Sequence, residues 1–202
     1  MSFIHGSLSV VAVCAVICAL PSLANASDPA EASAPVAELT ISEVLNARHT
    51  VPTREQLEAG VPDAEGQLIS VATNDEAAAW ARQRAISLLS LYTTPASMQA
   101  LGALTHSEDA DVRAMSLYTL SRTFPDVGPQ LLVLRLELVA RTDSDERVVG
   151  YAIRSLRWID APAADAALAR LAVDGPNPGL ASTMRERRDA RTSRERANML
   201  GE

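Results

Sequence analysis

Apolar residues recur with the 3.6-residue period of amphipathic helices through most of the chain between residues 64 and 173. This pattern predicts a helix over residues 64–72 and another over 76–92, with Asn74 and Asp75 ending the first and capping the second. Residues 129–140 are apolar on most sides, which predicts a helix buried between neighbours. No run of alternating apolar and polar residues indicates a strand, so the pattern predicts an all-α fold.

Several short motifs mark where helices begin. Thr53 and Gln56 have the spacing of a capping box, in which each side chain bonds the other residue's backbone amide. Thr94 followed by Pro95 is a cap followed by a first-turn proline. Ser42 is expected to cap a short helix over residues 42–47.

Three similar segments of the chain align with one another without gaps, at residues 81–89, 112–120 and 148–156. The second copy starts 31 residues after the first, and the third starts 36 residues after the second. A period of this size is typical of stacked helix pairs that cannot bury their apolar faces alone. Three sets of equivalent positions carry the repeat: small residues, seam-filling residues and leucines one turn later. These are Ala85, Ser116 and Ala152; Ile86, Leu117 and Ile153; and Leu89, Leu120 and Leu156.

The second copy, with Asp109, Asp111, Val112 and Arg113 before its apolar positions, resembles the second helix of a HEAT-like repeat. The resemblance covers roughly residues 64–173. It implies a short right-handed α-solenoid of about three to four HEAT-like helix pairs over residues 41–178, followed by a polar C-terminal helix or cap over 179–202. Arg113 is expected to reach acidic loop residues of its own or the next repeat, and Arg82 holds the same place in the first copy. The third copy departs from this pattern, because Val149 stands there.

The resemblance also implies that the repeated helix lines the concave face of the solenoid. Residues opposite its core stripe fall at positions i, i+3 and i+7 and form a row rich in tyrosine, tryptophan and arginine, the side chains that dominate interface hot spots. We therefore predict a site for a protein or peptide partner on this row. The alternative is that the aromatic side chains pack under the C-terminal helix. The row comprises Arg84, Ser87, Leu91, Met115, Tyr118, Arg122, Tyr151, Arg154 and Trp158.

The first 26 residues have the layout of a secretory signal peptide. An uncharged apolar run is broken by Pro21, and small residues at Ala24 and Ala26 precede a cut before Ser27. Residues 27–40 are expected to form a flexible linker. Cleavage would remove both cysteines, Cys14 and Cys18, and leave an exported protein, periplasmic or secreted, without stable membrane insertion. The alternative is an uncleaved membrane anchor.

Composition narrows the class of partner. The chain carries a formal net charge of −7, which argues against nucleic-acid binding because that requires a basic face. All 18 basic residues are arginine, a usage that we interpret as a bacterial GC-rich coding bias.

Recognisable catalytic or metal-binding motifs are missing from the sequence. The two histidines beyond the signal, His49 and His106, lack metal-ligand spacing, and there is no phosphate loop or nucleophile motif. We therefore expect no metal, no cofactor and no catalytic residues. The favoured interpretation is a non-enzymatic protein-binding scaffold or adaptor in the bacterial cell envelope. The alternatives are an envelope enzyme or enzyme subunit with an unrecognised site, and a purely structural spacer.

Overall fold

The computed structural model describes residues 40–47 and 50–200, without the side chains of Arg196 and Leu200. The predicted signal segment, residues 1–26, and all of the predicted linker except Thr40 lie outside the described residues, as does His49. Every description below concerns residues of the unit Val36–Glu202.

The described residues are all-α and contain no strand. No helix among them is long and apolar enough to cross a membrane. The helices are α1 Ile41–Asn46, α2 Arg54–Gly60, α3 Ala64–Thr73, α4 Ala79–Leu88 with a 3₁₀ turn at Leu89–Leu91, α5 Pro95–Leu104, α6 Ala110–Thr123, α7 Pro129–Thr142, α8 Glu146–Leu156, α9 Pro162–Asp174 and α10 Pro178–Leu200.

Side-chain caps start most of these helices. The predicted capping box at Thr53 is confirmed, and Thr94 caps α5 ahead of its first-turn proline. Asp109 and Asp145 cap the helices of the second and third repeat copies through carboxylate bonds to backbone amides. The prediction for the first helix was wrong by two residues, because Thr40 rather than Ser42 is its cap and forms a capping box with Glu43.

The predicted start of α4 was also wrong. The helix begins at Ala79, and its N-cap Ala78 makes no side-chain cap bond. The polar residues before it are engaged elsewhere: the Asn74 side chain accepts a bond from the amide of Glu76, and Asp75 pairs with Arg82 at 2.8 Å. These local bonds hold the backbone of 74–78 in a turn, which competes with helix formation.

Consecutive helices pack as pairs: α3 with α4, α5 with α6, α7 with α8, and α9 with α10. The second members of these pairs also contact one another in chain order, from α4 through α6 and α8 to α10. The repeated helices are therefore direct neighbours in the structure.

Two apolar clusters form the core. One joins α1 to α6, the other joins α6 to α10, and α6 contributes to both through Val112 and Leu117. The predicted small and seam-filling positions of all three copies are fully buried, as are Leu89 and Leu156, and Leu120 is partly buried against the first cluster. The repeat therefore marks the residues that join neighbouring helices.

The prediction for α7 was wrong. Leu131, Leu134 and Leu138 are 75%, 61% and 53% exposed, whereas Val133 and Leu136 are buried. The helix packs mainly against α8 and α9. The outer face of α7 is therefore an exposed apolar surface, which the sequence did not indicate.

Candidate functional site: an aromatic–arginine cluster on α6 and α8

The structure brings together five residues of the predicted row. Tyr118 and Arg122 come from α6, Tyr151 and Arg154 come from α8, and Trp158 lies in the turn directly after α8. With Arg157, which the row did not include, these residues form what we call the aromatic–arginine cluster.

Tyr118 lies at the centre of the three rings. Its ring centroid is 5.9 Å from that of Tyr151 and 6.3 Å from that of Trp158, with interplanar angles of 81° and 77°. Such edge-to-face contacts are favourable because the positive ring edge meets the negative face of its neighbour. All three rings are partly buried, so each presents some of its surface to solvent.

Three guanidinium groups lie over these rings. The Cζ atoms of Arg157 and Arg122 are 4.4 Å and 5.6 Å from the Trp158 ring centroid, and that of Arg154 is 5.7 Å from the Tyr151 centroid. These separations are within the range of cation–π attraction. No carboxylate in the described part of the chain pairs with any of the three.

Two features of α8 determine the geometry of this cluster. The helix ends at Leu156, and the Trp158 amide donates to the Ser155 carbonyl at 3.1 Å, so the indole leaves the helix in a tight turn. Gly150 leaves room for Arg154, since a Cβ at that position would lie 2.9 Å from its Nη1. A side chain at residue 150 would therefore displace the Arg154 guanidinium.

Two polar atoms within the cluster have no hydrogen-bond partner among the described residues. They are Nε1 of Trp158 and Nε of Arg157, and both are buried. Unpaired buried donors are destabilising, and for this reason they are rare in folded proteins.

The remaining four residues of the row make other contacts. Arg84 Nη2 donates to the carbonyls of Thr50 at 2.6 Å and Ala47 at 3.3 Å, so it holds the segment between α1 and α2. Leu91 and Met115 pack against the core cluster that joins α1 to α6, and Ser87 is exposed. The part of the row drawn from the first copy therefore takes a structural role at Arg84 and Leu91.

The alternative prediction was that the aromatic side chains pack under the C-terminal helix. Tyr151 fits it in part, because Tyr151 and Leu180 of α10 both pack against the core cluster that joins α6 to α10. Arg157 is the cluster member that sequence reasoning missed. The signal that could have found it is its position next to Trp158 at the end of the repeated helix.

Other arginines lie at the loops and pair with carboxylates of neighbouring repeats. Arg82 lies 3.9 Å from Asp109, and Arg113 forms a two-bond pair with Asp143 at 3.0 and 3.1 Å. Each arginine thus reaches the next repeat, as predicted. In the third copy, where Val149 replaces the arginine, Arg147 pairs back to Asp111 at 2.6 Å. We call these three contacts the arginine–aspartate ladder.

The ladder and the contacts beside it lower the pKa of several carboxyls. Burial alone would raise the pKa of Asp143, but the Arg113 guanidinium and the Asp145 amide outweigh it, and the pKa lies below its usual value. The hydrogen bond from Arg170 lowers the pKa of Glu137, with help from Arg141. Within the described residues, every carboxyl with a clear pKa shift is shifted downward.

Among the described residues there is no group of histidine, cysteine, aspartate and glutamate arranged to hold a metal ion. His106 instead accepts a hydrogen bond at Nδ1 from Arg135 Nη2 at 3.0 Å. It lines a cavity of about 580 Å³ together with Asp75, Arg82, Glu108 and Asp109. Within this cavity Arg82 already contacts the carboxylates of Asp75 and Asp109.

Comparison with protein-family models, with curated proteins and with solved structures finds no match for this chain. The resemblance to HEAT-like repeats therefore depends on the three aligned segments of this chain and on the residues around Arg113.

Proposed function

We propose that this protein is a non-enzymatic scaffold that binds a segment of a partner protein at the aromatic–arginine cluster. The observation that carries the proposal is the meeting of three partly exposed rings and three arginines that have no carboxylate partner among the described residues. Tyrosine, tryptophan and arginine contribute most to interface energetics because they bury large areas and form directional contacts.

The proposed architecture is a short right-handed α-solenoid of HEAT-like helix pairs. Direct contact between α4, α6, α8 and α10 supports it, because in a solenoid the second helix of each pair neighbours the second helix of the next. In this arrangement the cluster would lie on the concave face, where a helix or an extended segment fits between the repeats.

The proposed location is the bacterial cell envelope, after cleavage of the N-terminal segment. This part of the proposal is based on the pattern of residues 1–26 in the sequence. The acidic net charge favours a protein partner over a nucleic acid.

An envelope enzyme is the alternative from another class. General acid or base chemistry favours a carboxyl whose pKa is raised in a pocket. The clear carboxyl shifts in the described residues are all downward, and arginines or capping bonds cause them. This pattern is typical of ion pairs and helix caps, so it favours the scaffold. A structural spacer is disfavoured by the concentration of rings at one site.

The test is a pull-down from native envelope extract with the double variant Tyr118→Ala/Trp158→Ala. The proposal predicts that the wild-type protein retains a specific partner and that the double variant loses it, while the helical circular dichroism signal is unchanged. Trp80→Ala is the matched control, since it removes a tryptophan that is 40% exposed on α4 and should leave capture intact. Loss of the helical signal in the double variant would instead assign both rings to the core and contradict the proposal.

A further inference from the structure

We infer that the segment bound at the aromatic–arginine cluster is acidic, with carboxylates flanking an apolar or aromatic side chain. This inference rests on the proposed function and specifies the chemistry of the partner.

The surroundings of the three cluster arginines point to a carboxylate ligand. Elsewhere, arginines such as Arg113 and Arg170 form two-bond pairs with carboxylates of this same chain. Arg122, Arg154 and Arg157 have no such partner in the described residues, although the chain as a whole is acidic at −7. A guanidinium that lies over a ring still offers its N–H groups to a carboxylate in two parallel bonds.

The acids nearest to the cluster in sequence do not pair with its arginines. Asp160, two residues after Trp158, lies 3.6 Å from Arg188. Asp126, four residues after Arg122, is exposed and makes no ion pair in the described part of the chain. No carboxylate among the described residues complements the cluster, so we assign the complementary negative charge to the partner.

The charge of the protein favours a peptide over a polyanion as the ligand of the cluster. Aromatic and arginine side chains also bind single-stranded nucleic acid, but such proteins carry a positively charged groove along the phosphate backbone. Among the described residues, three arginines at one site lack a carboxylate partner, and the chain carries a net charge of −7. A short peptide with a few carboxylates matches that local charge, and its apolar side chain can contact the rings.

The test is fluorescence anisotropy with two labelled synthetic peptides. One alternates glutamate with leucine and phenylalanine, and the other has glutamine at every glutamate position. We expect the wild-type protein to bind the acidic peptide at least about tenfold more tightly, with the difference shrinking at high salt.

Arginine variants locate the effect. Arg122→Gln/Arg154→Gln should weaken binding of the acidic peptide by about tenfold and leave the glutamine peptide unaffected. The matched control is Arg187→Gln/Arg194→Gln, which removes the same charge from two exposed arginines of α10. It should keep the preference of the wild type.

Equal affinity for the two peptides, or binding of neither, would overturn the inference. In both cases the pull-down with Tyr118→Ala/Trp158→Ala decides separately whether the proposed function stands. Tighter binding of a single-stranded oligonucleotide than of the acidic peptide would also overturn it, since the partner would then be a polyanion.

Discussion

Two groups of arginines in the described part of the protein differ in what their guanidinium groups contact. Those of the arginine–aspartate ladder reach carboxylates across the loops, as Arg113 does with Asp143 at 3.0 Å. Those of the aromatic–arginine cluster lie over rings instead, as Arg157 does over Trp158 at 4.4 Å. Arginine therefore links neighbouring repeats at the loops, whereas the cluster arginines contact rings and have no carboxylate partner among the described residues.

The largest effect is expected from breaking the ladder. Arg113→Met removes the bonds to Asp143 and to the carbonyls of Ser107 and Glu108. The side chains of Arg113 and Asp143 are only 18% and 13% exposed, so the carboxylate would be left largely buried without its ion-pair partner. We expect the free energy of unfolding to fall by about 2–4 kcal/mol in urea titrations.

The matched control for this prediction comes from the other group. Arg122→Met removes an exposed arginine without a carboxylate partner among the described residues, and should change the free energy of unfolding by less than about 0.5 kcal/mol. If both variants were equally destabilised, the two groups of arginines would not differ as described.

A smaller effect is expected at Glu137, which accepts bonds from Arg170 at 2.6 and 2.9 Å and from Arg141 at 3.3 Å. Its pKa is lowered in the folded protein, so the unfolded chain takes up a proton more readily. The stability that this carboxylate contributes is therefore fully present above its ordinary pKa, near 4.5, and is lost as the pH falls through the lower folded value.

Unfolding at a series of pH values checks this. Glu137→Gln should lower the free energy of unfolding by about 1 kcal/mol at neutral pH and lose less stability in acid than the wild type. An unchanged acid dependence in the variant would mean that Glu137 does not contribute to it.

The sequence predicted those features that depend on neighbouring residues. Ile86, Leu117 and Ile153 are fully buried because a 3.6-residue period places equivalent positions on the same side of each helix. The period also placed Tyr118 and Tyr151 on facing helices, where their rings meet. The capping box at Thr53 joins two residues only three positions apart in the chain and was equally predictable.

The features that the sequence did not predict depend on distant partners. Arg84 bonds carbonyls at Ala47 and Thr50, more than 30 residues away. Leu134 of α7 is exposed although Val133 and Leu136 are buried, and an all-round apolar pattern does not indicate which side of a helix packs against its neighbours. Trp158 belongs to a turn and not to the helix that the period implied, and this turn brings Arg157 over the indole.

Site-specific photocrosslinking in the native envelope tests the central claim most directly. A photoreactive phenylalanine analogue at position 118 replaces one ring of the cluster, and the same group at Leu134 samples the exposed face of α7. The account predicts that a partner protein is trapped from position 118 and not from position 134. Trapping of that partner from position 134 alone would contradict the account and place the binding surface on α7.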